Sequence, residues 1–378
     1  MRRGVVVVAV VMSACSTPAP DIECGGFISC GGDEGCTTLA SNCASTGAYD
    51  AEDLQQAYGI DPTIDPHVTV AIVTSYGYPD LAADLDDYRK LQGLPACTVA
   101  TGCLAVVGQD GMTPPPIEPP AQDDWTLETA ADLDMVSAAC PLCKLVVVEA
   151  FDDQGNGMFT ANDTAASLGA TVIVDAWTTA AGPSDPTEDA FFVHPGVSVF
   201  AASGNSQFEA APNQGYPASS SHVIAVGGTS LQRDSSARGF TETVWTGTES
   251  ACDDGFTKPA GQPTAGSCTA RVTADVSAVA DYTPGILAFH DRQTTTIAGT
   301  GPATALVAGI FALTGHAGVD PSFVYANASA FHDVTDGNND PSGTCTSPLC
   351  KAGSGWDPPT GVGTPDAAAL LTASSSTR

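Results

Sequence analysis

The sequence predicts an α/β fold with a mostly parallel central sheet flanked by helices. Three observations predict it. Short Val/Ile-rich runs recur at 68–74, 144–149, 171–174, 197–202 and 223–226. Segments with helical spacing of apolar residues separate most of them. The runs are apolar at consecutive positions, as strands covered on both faces are.

Taken in order, Val68-Thr69-Val70-Ala71-Ile72-Val73-Thr74 reads as a buried strand and Tyr78-Pro79 punctuates it. Residues 81–91 then carry apolar side chains at helical spacing. Residues 125–139 read as a helix that leads into the strand at 144–149. Residues 161–168 read as a helix before the strand at 171–174. The runs at 197–202 and 223–226 supply two further strands. Near the end, Gly299-Thr300-Gly301-Pro302-Ala303-Thr304-Ala305 turns into the small apolar helix of residues 306–313. No internal repeat and no second folded domain is visible.

A chain of 378 residues is long enough for a large core. Lysine plus arginine is 12 and aspartate plus glutamate is 43, a net charge of −31. That balance excludes a nucleic-acid partner, whose phosphates would be repelled. It suits an acidic or calcium-containing medium.

The N-terminus reads as a targeting segment. Met1-Arg2-Arg3 is basic, and the apolar stretch 4–14 is too short to span a bilayer. Met12-Ser13-Ala14-Cys15 resembles a bacterial lipobox. The expectation is a signal peptide at 1–14, then a lipidated tether and Cys-rich segment at 15–47, with plain cleavage near Ala14 as the alternative to lipidation. The chain would be exported, either as a cell-envelope lipoprotein anchored through Cys15 or as a secreted protein. Without Cys15 the 13 cysteines become twelve, an even number in a disulfide-permissive compartment. Cys97 with Cys103, Cys140 with Cys143, Cys252 with Cys268 and Cys345 with Cys350 are close pairs. Cys24, Cys30, Cys36 and Cys43 form a cluster with three possible connectivities.

The order of motifs over 48–378 resembles the sedolisin family, the serine-carboxyl peptidases. The motifs are Asp53-Leu54-Gln55-Gln56-Ala57-Tyr58-Gly59-Ile60, Leu94-Pro95-Ala96-Cys97-Thr98, Tyr216-Pro217-Ala218-Ser219-Ser220, Ala225-Val226-Gly227-Gly228-Thr229-Ser230-Leu231 and Ala274-Asp275-Val276-Ser277-Ala278-Val279-Ala280-Asp281. The resemblance implies a subtilisin-like three-layer fold. It begins near Asp53, without the family's large N-terminal prodomain.

Glu128 and Asp132 lie four apart, so a helix puts both on one face. By spacing alone they are equally an exposed acidic face. The resemblance implies an acid pair in which the glutamate takes the nucleophile's proton and the aspartate orients it. Close carboxylates share a proton, which raises one pKa and suits chemistry at acid pH. Asp134 is a nearby carboxylate off the motif's spacing. Asn205, in Ala202-Ser203-Gly204-Asn205-Ser206, stands where the family has an aspartate that donates to the oxyanion. An amide can donate the same bond at any pH. Gly301 stands where the family keeps its serine, with Pro302 and Ala305 as further departures on the same turn. Thr300 and Thr304 are the nearby hydroxyls. Ser230 copies a Gly-Thr-Ser triplet but precedes polar residues. Val174-Asp175-Ala176-Trp177-Thr178 departs from the family's substrate-binding strand, Ser-x-Ser-Trp-Gly.

Asp333, Val334, Gly353, Gly355 and Asp357 match the family's C-terminal calcium site. The resemblance implies side-chain oxygens from the two aspartates and backbone carbonyls from the rest, a hard donor set that suits Ca2+. The expected function is a catalytically impaired pseudopeptidase that keeps a scaffold for a protein or peptide ligand. The alternative is a serine-type endopeptidase with an unorthodox nucleophile. The expected state is a monomer, touching membrane only through the Cys15 anchor.

Overall fold

A computed structural model describes residues 28–29, 34–36, 39–41, 47–114, 117–120, 125–153, 155–180, 188–208 and 215–373. The signal segment 1–14, Cys15, and Cys24, Cys30 and Cys43 lie outside the described residues.

Eight strands form the central sheet: β1 (Thr69–Ser75), β2 (Leu104–Gly108), β3 (Lys144–Ala150), β4 (Val172–Asp175), β5 (Ser198–Ala202), β6 (Ile224–Arg233), β7 (Phe240–Val244) and β8 (Val276–Val279). Their order is β7-β6-β5-β4-β1-β3-β2, with β8 also beside β6. Every pairing is parallel except that of β6 with β7. The sheet is therefore mostly parallel, as the consecutive apolar runs require.

Successive side chains of a strand point to opposite faces. In β1, Val70 and Ile72 enter one core, while Ala71 and Val73 enter the other. The first core packs against α1 (Ala51–Ala57), α2 (Leu81–Leu91), α3 (Trp125–Ala139) and α5 (Thr300–Leu313). The second packs against α4 (Gly155–Ser167) through Met158, Phe159 and Ala161. The result is the three-layer, subtilisin-like arrangement.

α5 is buried along its whole length, so its side chains must be apolar or small. Gly309 permits its close crossing with α3, since a Cβ there would stand 2.6 Å from Ala139 Cβ.

The structure differs from the sequence expectation in three places. β6 continues to Arg233 instead of ending at 226. Gly227 and Gly228 admit close neighbours: a Cβ on Gly228 would lie 2.6 Å from Ala280 Cβ and 2.8 Å from the Trp245 ring. α4 begins at Gly155, six residues before the apolar spacing starts at 161. The short β7, with exposed or half-buried positions, carries no Val/Ile run, and β2 has only Val106-Val107.

Disulfides join Cys97–Cys103, Cys140–Cys143, Cys252–Cys268 and Cys345–Cys350, the four close pairs of the sequence. The Cys-rich N-terminal stretch also contributes strands. Leu39–Ser41 pairs with the strand Gln293–Ala298, and Glu34–Cys36 pairs antiparallel with the strand Trp177–Ala180. Among the described residues, no helix is long and apolar enough to cross a membrane.

Candidate active site

The carboxyl edge of a parallel sheet collects the loops that can form a site. β1, β4 and β5 run parallel, so Thr74, Asp175 and the loop after Ala202 share that edge. The Thr74 hydroxyl meets that of Thr129 at 2.6 Å, which places the first turns of α3 there. Thr300 bonds Asn205, which places the start of α5 there too. α3 and α5 therefore run side by side in the same direction. Glu128 and Asp132 on α3, Asn205 after β5 and Gly301 on α5, three segments far apart in sequence, lie at one edge of the fold.

Glu128 and Asp132 are each about 1% exposed. Burial at this level rules out a solvated acidic face. Burial first, then Glu128, then Asp175 push the Asp132 carboxyl well above the usual carboxylate range. Asp134 is also buried, but it turns to the hairpin at 286–298, where its Oδ2 accepts from Phe289 N at 2.8 Å.

Asp175 is the residue whose role the sequence hid. It is the last residue of β4 and fully buried. Its Oδ1 accepts from Asn162 Nδ2 and Trp177 Nε1, both at 3.1 Å. Burial pushes its pKa up to about 8 against those two donors. An aspartate closing a Val/Ile run was the available signal.

Asn205 Oδ1 accepts from the Thr300 amide at 3.0 Å and the Thr300 hydroxyl at 3.1 Å. That leaves Nδ2 as the donor end of the amide. Thr300 Oγ1 also accepts from Gly204 N at 3.1 Å. Gly204 has φ of 105°, and a Cβ there would meet Glu249 Oε2 at 2.4 Å, so only glycine fits this loop.

Gly299, with φ of 121°, opens α5, and Gly301 follows within its first turn. Gly301 is not among the glycines with positive φ, so its backbone would accept a serine. The Thr304 hydroxyl donates to the Thr300 carbonyl at 2.6 Å. Both threonines are fully buried with their hydroxyls engaged. Ser230 lies in β6 and donates to Asp281.

A family model of the subtilases (Peptidase S8) matches residues 121–320. This chain belongs to the subtilase family. Kumamolisin of Bacillus sp. (strain MN-32) is 29% identical to this subtilase over 379 residues, covering 90% of the chain and 66% of kumamolisin. Sedolisin of Pseudomonas sp. (strain 101) is 27% identical over 346 residues, covering 80% and 57%. The chain thus spans less than two thirds of the length of either curated relative. The structure of Pseudomonas sedolisin, a serine-carboxyl proteinase complexed with pseudo-iodotyrostatin, superposes with a TM-score of 0.71 at 23% identity, covering 88% of this chain and 98% of that one. The subtilase is sedolisin-like in fold.

The residues of the expected calcium site also come together. Asp333 Oδ2 accepts from Gly355 N at 2.8 Å and Asp357 Oδ2 from Gly353 N at 3.1 Å. Asp357 Oδ1 accepts from the amide and hydroxyl of Thr360 at 3.0 and 2.8 Å. Burial pushes Asp357 up to about 7, with the Asp333 charge adding to it. Two carboxylates sharing one glycine loop are a hard oxygen set that a cation would neutralise, so the residues fit Ca2+. Among the described residues no group of three or more His, Cys, Asp or Glu side chains could hold a metal.

Proposed function

We propose that this subtilase is an exported, catalytically impaired peptidase homologue that keeps a scaffold for binding a protein or peptide. Gly301 carries the reading. The position that would supply the nucleophile has no side chain, and the hydroxyls of Thr300 and Thr304 are committed to Asn205 and to the α5 backbone. Loss of a nucleophile in a serine peptidase lowers turnover about a millionfold. The strand Trp177–Ala180 supports the binding half of the reading. It already pairs antiparallel with an extended segment, Glu34–Cys36, in the manner by which sheet edges take peptides.

The retained Glu128 and Asp132, with the amide donor of Asn205, favour a second reading, an endopeptidase acting through an unorthodox nucleophile. The two engaged threonines weigh against it. Calcium held by Asp333, Asp357 and the carbonyls of Val334, Gly353 and Gly355 would brace the C-terminal loop. Export through residues 1–14, anchoring at Cys15 and a monomeric state belong to the same proposal.

The test is turnover of a quenched peptide library from about pH 3 to 8 by the parent chain, Gly301→Ser and Glu128→Ala, with pH-matched controls. A silent parent and an active serine variant are expected. Parent turnover that vanishes in Glu128→Ala overturns the proposal.

A further inference from the structure

We propose that the N-terminal strands Glu34–Cys36 and Leu39–Ser41 are a tethered occupant of this chain's own peptide groove, so that an external extended peptide enters only by displacing them. The inference rests on reading the strand Trp177–Ala180 as a place where a peptide pairs, but not on whether the site turns over.

The groove has two walls. One is the strand Trp177–Ala180, which begins two residues after Asp175, the end of β4. The other is the strand Gln293–Ala298, whose last residue stands three before Gly301. The N-terminal strands pair with both. Glu34, Gly35 and Cys36 lie opposite Thr179, Thr178 and Trp177, antiparallel. Leu39, Ala40 and Ser41 lie opposite Ala298, Ile297 and Thr296, also antiparallel. Cys36 and Leu39 are three residues apart, so at most about 11 Å separates their Cα atoms. The chain therefore passes from one wall to the other at the edge where Gly301 lies.

An extended peptide binds a sheet by supplying the partners that an edge strand lacks. Here those partners are already supplied. Gly215–Tyr216 pairs with the second side of Trp177–Ala180, with Tyr216 opposite Thr179. Ile286–His290 pairs with the second side of Gln293–Ala298, with Leu287 and Ile286 opposite Thr296 and Ile297. At Thr179, Thr296 and Ile297 both sides are taken, and a second chain finds no edge there until the N-terminal strands leave. Tyr49, eight residues beyond Ser41, fastens the occupant to the base of the same hairpin. Its amide donates to the Gly285 carbonyl and its carbonyl accepts from Leu287 N, both at 2.9 Å; its buried hydroxyl donates to the Leu231 carbonyl at 2.7 Å. A ligand tethered over so short a span acts at an effective concentration of about millimolar. The apparent affinity for an external peptide falls by the fraction of molecules whose groove is open.

The experiment compares the full chain with two variants, Glu34→Pro/Gly35→Pro and Leu39→Pro/Ala40→Pro. Adjacent residues of a strand point their N–H groups to opposite sides, so each pair of prolines removes a ladder donor whatever the phase. Amide exchange read by mass spectrometry is expected to quicken by about tenfold or more at 177–180 in the first variant and at 294–298 in the second, with α3 and α5 unmoved. The probe for uptake is a fluorescent peptide copying residues 32–42 with Cys36→Ser. Its Kd, read by anisotropy, is expected to be lower for either variant than for the parent by about tenfold or more. The two variants act on separate strands, so misfolding of one leaves the other as the test. Unmoved exchange at the matching wall of a folded variant overturns the proposal, and so does peptide binding that is equal or absent in parent and variants. Amide exchange involves no turnover, so its failure is separate from any failure of the pseudopeptidase assay.

Discussion

Asp175 makes a strong prediction about stability and pH. Its folded pKa is about 8, against an ordinary 3.8, because burial favours the neutral form. Between those two values the folded chain holds a proton that the unfolded chain has released. Stability therefore falls as pH rises from about 4 to about 8, and levels beyond it. Four units at 1.36 kcal/mol each give about 6 kcal/mol for complete burial. Relaxation and water entry reduce such penalties to several kcal/mol, so about 3 is the working figure. Asp132 has the same sign and adds to the slope in the parent and in the variant. Asp175→Asn should match the parent near pH 4 and exceed it by about 3 kcal/mol at pH 8. Denaturant midpoints at constant m, measured at each pH, read this directly. Parallel parent and variant curves across the range would refute the burial argument.

Four other perturbations separate structural from functional roles. Arg271→Met strands Asp275, which otherwise receives both guanidinium nitrogens at 2.6 and 2.7 Å in a fully buried pair; a loss of about 3–5 kcal/mol is expected in chemical denaturation. Thr300→Ala removes the hydroxyl between Asn205 and Gly204, and should lower stability by about 1–3 kcal/mol by the same measure. Gly309→Ala forces α3 and α5 apart at Ala139, an overpacking worth about 1–3 kcal/mol in thermal unfolding. Chelation should lower the melting temperature of the parent and leave Asp357→Ala unmoved; equal shifts in both would place the cation elsewhere.

Much of the fold was legible because buried parallel strands and helices each leave a periodic mark. β1, β3, β4 and β5 matched their Val/Ile runs closely, and α2 and α3 matched their spacing to the residue. β7 was not, because an edge strand alternates exposure and resembles a loop in composition. The length of β6 was hidden by Gly227-Gly228, whose purpose is contact with Trp245, Ala280 and the Pro359 carbonyl, none of it local. At the site, Glu128, Asp132, Asn205 and Gly301 were legible through ordered motifs. Asp175 was visible as a departure from a motif, but its burial depends on Asn162 of α4, which only the folded sheet brings near.

Gly301 and the buried acid pair bear on each other. A base that accepts a proton from a hydroxyl must be ionised when the hydroxyl arrives. Burial of Asp132 one turn from Glu128 makes ionisation of the pair harder, so it weakens any base there at low pH. Removal of the hydroxyl leaves the carboxyls without a proton to take, and their remaining physical role is to hold protons within a buried edge that Asn162, Trp177 and Thr129 brace. On the proposed function, the buried acid pair is kept for the shape and charge of the edge at which Gly301 lies.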